Sequence, residues 1–278
     1  MRGIAVIAGL TCKEAVRRRV LAASVVLGLA FLVLYGFGMH LVLSRTSETV
    51  LRQPLIRRQI INTLLVMGMY AVNWLVVVLT ILTAVDTIAG EINSGVIQAV
   101  ATKPVRRWEI IVGKWIGFAV MLTGYIVLLT AGVLLEALMI AGQAPANFGR
   151  VLGLMLLESL LLLAVTFRAG ASLSTLATGV AVFGLHILAF LGGWVEEFGW
   201  IARSQTAINI GVLASVFMPS ESLWRRAAFD LQGPIIGGFA RGPFSIGSVP
   251  SAWMVGYAAI YLLAALFFAV RRFSRRDL

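Results

Sequence analysis

The sequence predicts an all-α integral membrane protein with six transmembrane helices, and two observations support this. Hydrophobic residues make up 60% of the 278 residues, and charged residues only 13%, whereas a soluble domain has about 25% charged residues. The apolar residues are gathered into six long runs, most of them close to the ~20 residues that a helix needs to cross ~30 Å of hydrocarbon. With no linker composition and no clear internal repeat, residues 1–278 are interpreted as one membrane domain.

The six apolar runs predict the spans in chain order at residues 21–43, 60–85, 110–140, 151–167, 173–194 and 253–270. An even number of spans places both termini on one side of the membrane. More Lys and Arg residues lie in the segments on that side, and the basic clusters at residues 13–19 and 271–276 directly adjoin spans. The positive-inside rule therefore predicts that both termini are cytosolic.

Three segments outside the spans have predicted structures of their own. Residues 1–20 predict an interfacial helix with Ile4, Ile7, Ala8 and Leu10 toward lipid; the alternative is a cytosolic extension of span one. Residues 195–250 predict an extracytoplasmic loop with short helices. In that loop, the apolar run at residues 206–218 is too short to cross the membrane and predicts a partly inserted or interfacial helix. Residues 221–230 predict an amphipathic helix.

The composition argues against several function classes. The single Cys12 excludes an internal disulfide framework, and no cluster of His, Cys, Asp and Glu has metal-ligand spacing. The net charge of +11 is compatible with a nucleic-acid partner. The charges lie at the ends of apolar runs, however, and this pattern indicates membrane topology and contact with anionic lipids instead. No P-loop motif or nucleophile elbow occurs, so the sequence does not predict an enzyme.

The central cytosolic segment at residues 86–109 is the most informative part of the chain. Ile92, Val96, Ala99 and Val100 fall on one face of a predicted helix, as docking into a partner's groove requires. A helix that only lies on lipid would use the same face. We expect Glu91 near the start of this helix, where the helix dipole favours an anion. After the break at Lys103 and Pro104, Arg106 and Arg107 are positioned to pair with carboxylates or lipid phosphates.

The motifs of this segment resemble those of ABC-2 type transporter permeases, in particular the small six-span branch typified by the membrane subunit of the nitrous oxide reductase maturation exporter. The resemblance is carried by IAGE at residues 88–91, GVI at 95–97, PVRR at 104–107 and VGK at 112–114. MPSESLWR at residues 218–225 resembles a further motif of that branch. Val96 and Ile97 replace the usual Thr-Leu pair, and Met218 replaces the usual Asn.

The resemblance implies a permease subunit in a bacterial inner membrane that works as an exporter with a separate ABC ATPase subunit. It implies no cofactor on this chain, because ATP and Mg would bind to the ATPase. It implies two permease copies with two ATPases, and makes residues 86–109 the coupling helix. The implied ATPase-coupling residues are Glu91, Ile92, Val96, Val100, Lys103, Pro104, Arg106 and Arg107.

Small residues identify candidate packing surfaces. Ala171, Thr175 and Gly179 recur at every fourth position on span five, which lets helices approach closely and makes them candidates for the dimer interface. Gly113 and Gly117 at the start of span three have the same spacing. For these two glycines, packing within one bundle is the alternative to a dimer contact.

Two ionisable residues fall inside predicted spans, where they must face protein or water. Glu158 lies in span four and His186 in span five, and these spans form a short hairpin. We expect a hydrogen bond between the two side chains, which either lines a pathway or holds the hairpin together.

Two other functions remain open from the sequence. An ion-coupled secondary carrier would use intramembrane charges such as Glu158 and His186, but it normally shows an inverted repeat. A mechanotransmission subunit that transports nothing would pass ATPase motion to a periplasmic partner through residues 195–250.

Overall fold

The computed structural model of the chain describes residues 2–17, 19–93, 106–143, 145, 147–232 and 249–275, and this part is helical with no strand. A π-helical turn, Ala137–Ala141, continues the fifth helix. The helices are α1 (Arg2–Arg17), α2 (Arg19–Arg45), α3 (Glu48–Leu51), α4 (Pro54–Asn93), α5 (Arg107–Glu136), α6 (Phe148–Gly170), α7 (Thr175–Ile201), α8 (Gln205–Phe217), α9 (Ser220–Gln232) and α10 (Ala252–Ser274).

The six predicted spans are confirmed as α2, α4, α5, α6, α7 and α10, each long and apolar enough to cross a membrane. The most buried of them is α4, which contacts α2, α5, α6 and α7. The least buried are α2 and α10. Because α4 continues without a break to Asn93, the helix of span two extends two turns beyond its predicted end at residue 85.

Helix α1 packs along the cytosolic end of α5 (cytosolic by the predicted topology). A Cβ atom at Gly113 would lie 2.9 Å from the Ile7 side chain, and one at Gly117 would lie 2.8 Å from the Ala8 carbonyl oxygen. The two glycines therefore serve packing within this chain. Ile4, Ile7 and Ala8 lie on the face of α1 that contacts α5 and are half-buried, whereas Leu10 is exposed; the lipid contact of α1 stays a prediction.

Helices α8 and α9 form a hairpin that enters the bundle from the end where α7 terminates, here called the outer end because the predicted topology places it outside. Helix α8 runs back along α7, with Ala207 against Gly199 and Ala214 against Gly192. Its 13 residues span roughly 20 Å. The chain turns at Met218, which is fully buried, and α9 returns toward the outer end against α6 and α4.

This hairpin refines the prediction for residues 195–250. Both short helices are present, and α8 packs along α7; its partial insertion into the membrane stays a prediction. The amphipathic helix α9 lies within the bundle, and most of its residues are buried.

The placement of Ala171 on span five is wrong. Ala171 caps the C-terminus of α6 and is fully buried, whereas α7 begins at Thr175. Gly179 lies on α7, where an added Cβ would be in ordinary contact with Val85 of α4 in the same chain. The predicted stripe of small residues is therefore interrupted by the turn between α6 and α7, and the involvement of Thr175 and Gly179 in a dimer stays a prediction.

Candidate functional site

Polar side chains gather inside the bundle where α9 meets α4, α6 and α7. We call this group the buried polar cluster, and it consists of Asn73, Glu158, His186, Glu196, Ser220, Glu221 and Arg225. Each member is at most 6% exposed. Asn73, Glu158 and His186 lie near the middle of their spans, and α9 brings in the remaining polar groups because its N-terminus starts at the buried tip of the hairpin.

An ion pair connects the hairpin to α7. Arg225 Nη1 donates to Glu196 Oε2 at 2.7 Å, and Arg225 Nη2 lies 3.6 Å from Glu197 Oε2. Glu221 lies one turn before Arg225, beside Gly193, where a side chain would crowd the glutamate. Burial raises the pKa of Glu221 to about 8, and the positive charge of Arg225 offsets only part of this effect.

The structure gives Glu158 and His186 separate partners in place of the predicted hydrogen bond between them. Asn73 Nδ2 donates to Glu158 Oε1 at 3.4 Å, whereas His186 Nδ1 lies 2.9 Å from Ser220 Oγ. The prediction was wrong because it considered only the α6–α7 hairpin. Helix α4 and the hairpin tip supply closer polar groups.

Aromatic rings cover the side of the buried polar cluster that faces α4. Trp74 contacts His186 edge-on at a centroid distance of 5.6 Å and Phe190 at 5.2 Å. Tyr70 lies 5.6 Å from Trp224 of α9. These rings bury large apolar areas between α4, α7 and α9, so they help to shield the polar cluster from water.

A cavity of about 390 Å³ adjoins the cluster on the α10 side. Glu196, Ser215, Ser222 and Tyr257 line its wall together with Trp253. The buried Ser222 Oγ has no hydrogen-bond partner in the described part of the chain. Its lining combines the carboxylate of Glu196 with the rings of Tyr257 and the exposed Trp253.

The predicted coupling residues are only partly described. Arg106 caps the N-terminus of α5, where its backbone N–H donates to Glu109 Oε2 at 3.3 Å. Arg107 Nη1 donates to the Ser274 carbonyl oxygen at 3.5 Å, which joins the start of α5 to the end of α10. Val96, Val100, Lys103 and Pro104 lie outside the described residues.

Glu91 and Ile92 belong to the last turn of α4. The coupling helix predicted to begin near Glu91 extends into residues 94–105, which lie outside the described residues, so the role of Glu91 there stays a prediction. Residues 88–91, which carry the IAGE motif, belong to the cytosolic end of α4.

A family model described as ABC-2 family transporter protein matches residues 5–278, nearly the whole chain. The chain belongs to this family. It is a multi-pass membrane protein and an ABC transporter permease, a kind of subunit that does not itself hydrolyse ATP. No curated protein matches it. The resemblance to the nitrous oxide reductase branch is finer than this match and stays a prediction.

The burial of Glu196, Glu221 and Arg225 in this permease was not predicted from the sequence. Residues 218–225 were noticed for their motif, and that motif was the available signal. Their amphipathic pattern gave no sign of burial, because the polar face of an amphipathic helix normally faces water. The polar face of α9 is buried because α7 supplies the carboxylates that pair with Arg225.

Proposed function

We propose that the chain is the permease subunit of an ABC exporter, driven by a separate ATPase subunit that binds ATP and Mg. The match to the ABC-2 family over residues 5–278 carries this proposal. The permease lies in a bacterial inner membrane with both termini cytosolic, and two copies assemble with two ATPases. It works by passing movement of the ATPases to its helices.

The coupling route follows from the arrangement of α4 and α5. The segment at residues 94–105 connects the cytosolic end of the central α4 to the start of α5. A force on this segment acts directly on α4, which contacts four other spans. We therefore place the ATPase contact on the face with Val96 and Val100, with Arg106 and Arg107 beside it.

The test is a mild-detergent pull-down of the tagged chain from its own membranes, followed by mass spectrometry. The proposal expects a stoichiometric ATPase with a P-loop, which is lost when Val96→Asp places a charge on the docking face. Ser47→Asp is the matched control, because this substitution adds the same charge away from the docking face. Ser47 is exposed in the predicted outer loop between α2 and α3.

Three results would contradict the proposal. Retention of the ATPase by Val96→Asp would reject the docking face, and its loss in Ser47→Asp would show an unspecific effect. Failure to recover any ATPase in several detergents, together with transport under an ion gradient alone, would favour the ion-coupled carrier.

A dimer of the permease is tested separately. In a Cys12→Ser background, Thr175→Cys should form a cross-linked dimer in native membranes if the start of α7 lies at the interface. Ser47→Cys serves as the control and should not cross-link. Absence of a Thr175→Cys dimer would remove α7 from the proposed interface.

A further inference from the structure

The buried polar cluster contains more carboxyl groups than cations. Four carboxyl groups lie in or beside it, and they belong to Glu158, Glu196, Glu197 and Glu221. In the described part of the chain, Arg225 is the cationic side chain that the structure places in ion pairs with this group. Neighbouring Arg226 instead donates to the Pro250 carbonyl oxygen at 3.0 Å.

Arg225 forms ion pairs with two of the four carboxylates, those of Glu196 and Glu197 on α7. Its charge also acts on Glu221, one turn earlier on the same helix. No ion pair with Glu158 is found among the described residues. Full ionisation would therefore leave excess negative charge inside a bundle with little water.

Glu158 is the most isolated of the four groups. It is 1% exposed, its Oε1 accepts one hydrogen bond from Asn73, and its Oε2 has no partner in the described residues. An unpaired buried carboxylate is so costly that such a group takes up a proton instead. Helix α9 packs directly against α6 and carries the buried Glu221 into the same cluster, where two like charges cannot both ionise easily.

We propose that Glu158 and Glu221 form a buried proton-binding pair that holds at least one proton while the α8–α9 hairpin lies in the bundle. Glu158 is the firmer site, since no cation is described beside it. Glu221 is the weaker site, since Arg225 and the N-terminal dipole of α9 favour its ionised form.

The two carboxyl groups lie on elements that can separate, because α6 is a span whereas α9 belongs to the inserted hairpin. Movement of the hairpin would admit water, lower the cost of ionisation and release the proton. The ionisable groups facing the pair are Tyr70 of α4, His186, Glu196 and Glu197 of α7, and Arg225 of α9. On α10, Tyr257 and Tyr261 donate to carbonyl oxygens at the end of α8.

The inference does not rest on the proposed function, because it concerns the protonation of the permease alone. The test is infrared difference spectroscopy of the purified full chain in lipid nanodiscs during a pH titration. Protonated and ionised carboxyl groups have separate stretching bands. We expect a protonated-carboxyl band at neutral pH that disappears only in alkaline solution. Glu158→Gln should remove most of this band, and Glu221→Gln should shift its titration.

Glu48→Gln is the control, because Glu48 is exposed and pairs with Arg52 on the surface; its spectrum should match that of the wild type. The absence of a protonated-carboxyl band from the wild type at neutral pH would overturn the proposal even if a variant failed to fold. An unchanged band and titration in both Gln variants would overturn it as well.

Discussion

Arg225 of α9 and Glu196 of α7 form a buried ion pair with a nitrogen–oxygen distance of 2.7 Å. The two side chains are 7% and 8% exposed, so water contributes little to their solvation. Because α8 and α9 enter the bundle as a hairpin, this contact joins the returning helix to the span from which the hairpin begins. The His186–Ser220 contact at 2.9 Å is a second polar link between α7 and α9.

Removing one member of this pair should strongly destabilise the permease. Arg225→Met leaves Glu196 buried without its cation, and such losses cost about 3–5 kcal/mol. We expect a clearly lower unfolding temperature in detergent. The double variant Glu196→Gln with Arg225→Met should recover part of the loss, because Glu196 then carries no charge, and the recovery should be incomplete because Glu197 still loses Arg225.

The control for this prediction is Arg52→Ala, which removes a surface ion pair. The side chains of Arg52 and Glu48 are 82% and 88% exposed, so little change in unfolding temperature is expected. Equal decreases in unfolding temperature for Arg52→Ala and Arg225→Met would show that the buried ion pair contributes no more to stability than the surface pair.

Glycine at position 117 should be required for the position of α1. A leucine there would collide with the Ala8 carbonyl and the Thr11 side chain, so Gly117→Leu should displace α1 from α5. Cys12 is partly buried on α1 and is the single cysteine, so faster maleimide labelling of Cys12 measures the displacement.

Gly124→Leu is the matched control on the same helix, because a Cβ at Gly124 has no atom within 4 Å. It should leave the labelling rate of Cys12 unchanged. If Gly117→Leu also leaves the rate unchanged, the described packing of α1 on α5 is wrong.

Stability should depend on pH through Glu221. Its pKa is raised from 4.5 to about 8 by burial, so the folded chain retains a proton that the unfolded chain releases. This contribution is fully present below pH 4.5 and is lost as the pH rises to about 8. The unfolding temperature should fall across this window, and Glu221→Gln should flatten the fall. An identical pH profile in wild type and Glu221→Gln would contradict the assignment.

The predicted topology can be measured with a membrane-impermeant maleimide applied to intact cells. Cys12 lies on the predicted cytosolic side and should react only after the membrane is permeabilised. Ser47→Cys, in a Cys12→Ser background, should react in intact cells because residue 47 is exposed in the predicted outer loop. The reverse pattern would invert the topology.

Hydropathy was sufficient to predict the six spans, because lipid selects apolar segments of a given length whatever their neighbours are. It was also sufficient to predict that the apolar run of α8 is too short to cross. The apolar part of span two ends close to its predicted end at residue 85, but hydropathy does not show where the helix itself ends, because a helix continues readily beyond the hydrocarbon, here to Asn93.

The sequence by itself therefore determined the membrane class, the number of spans and, through its motifs, the family. The tertiary structure alone decided that Glu158 is bonded to Asn73, that His186 faces Ser220 and that Arg225 is buried against Glu196. The physical reason is that the cost of burying a polar group depends on its partner. These partners come from helices far apart in the chain, and local composition carries no information about which of them meet.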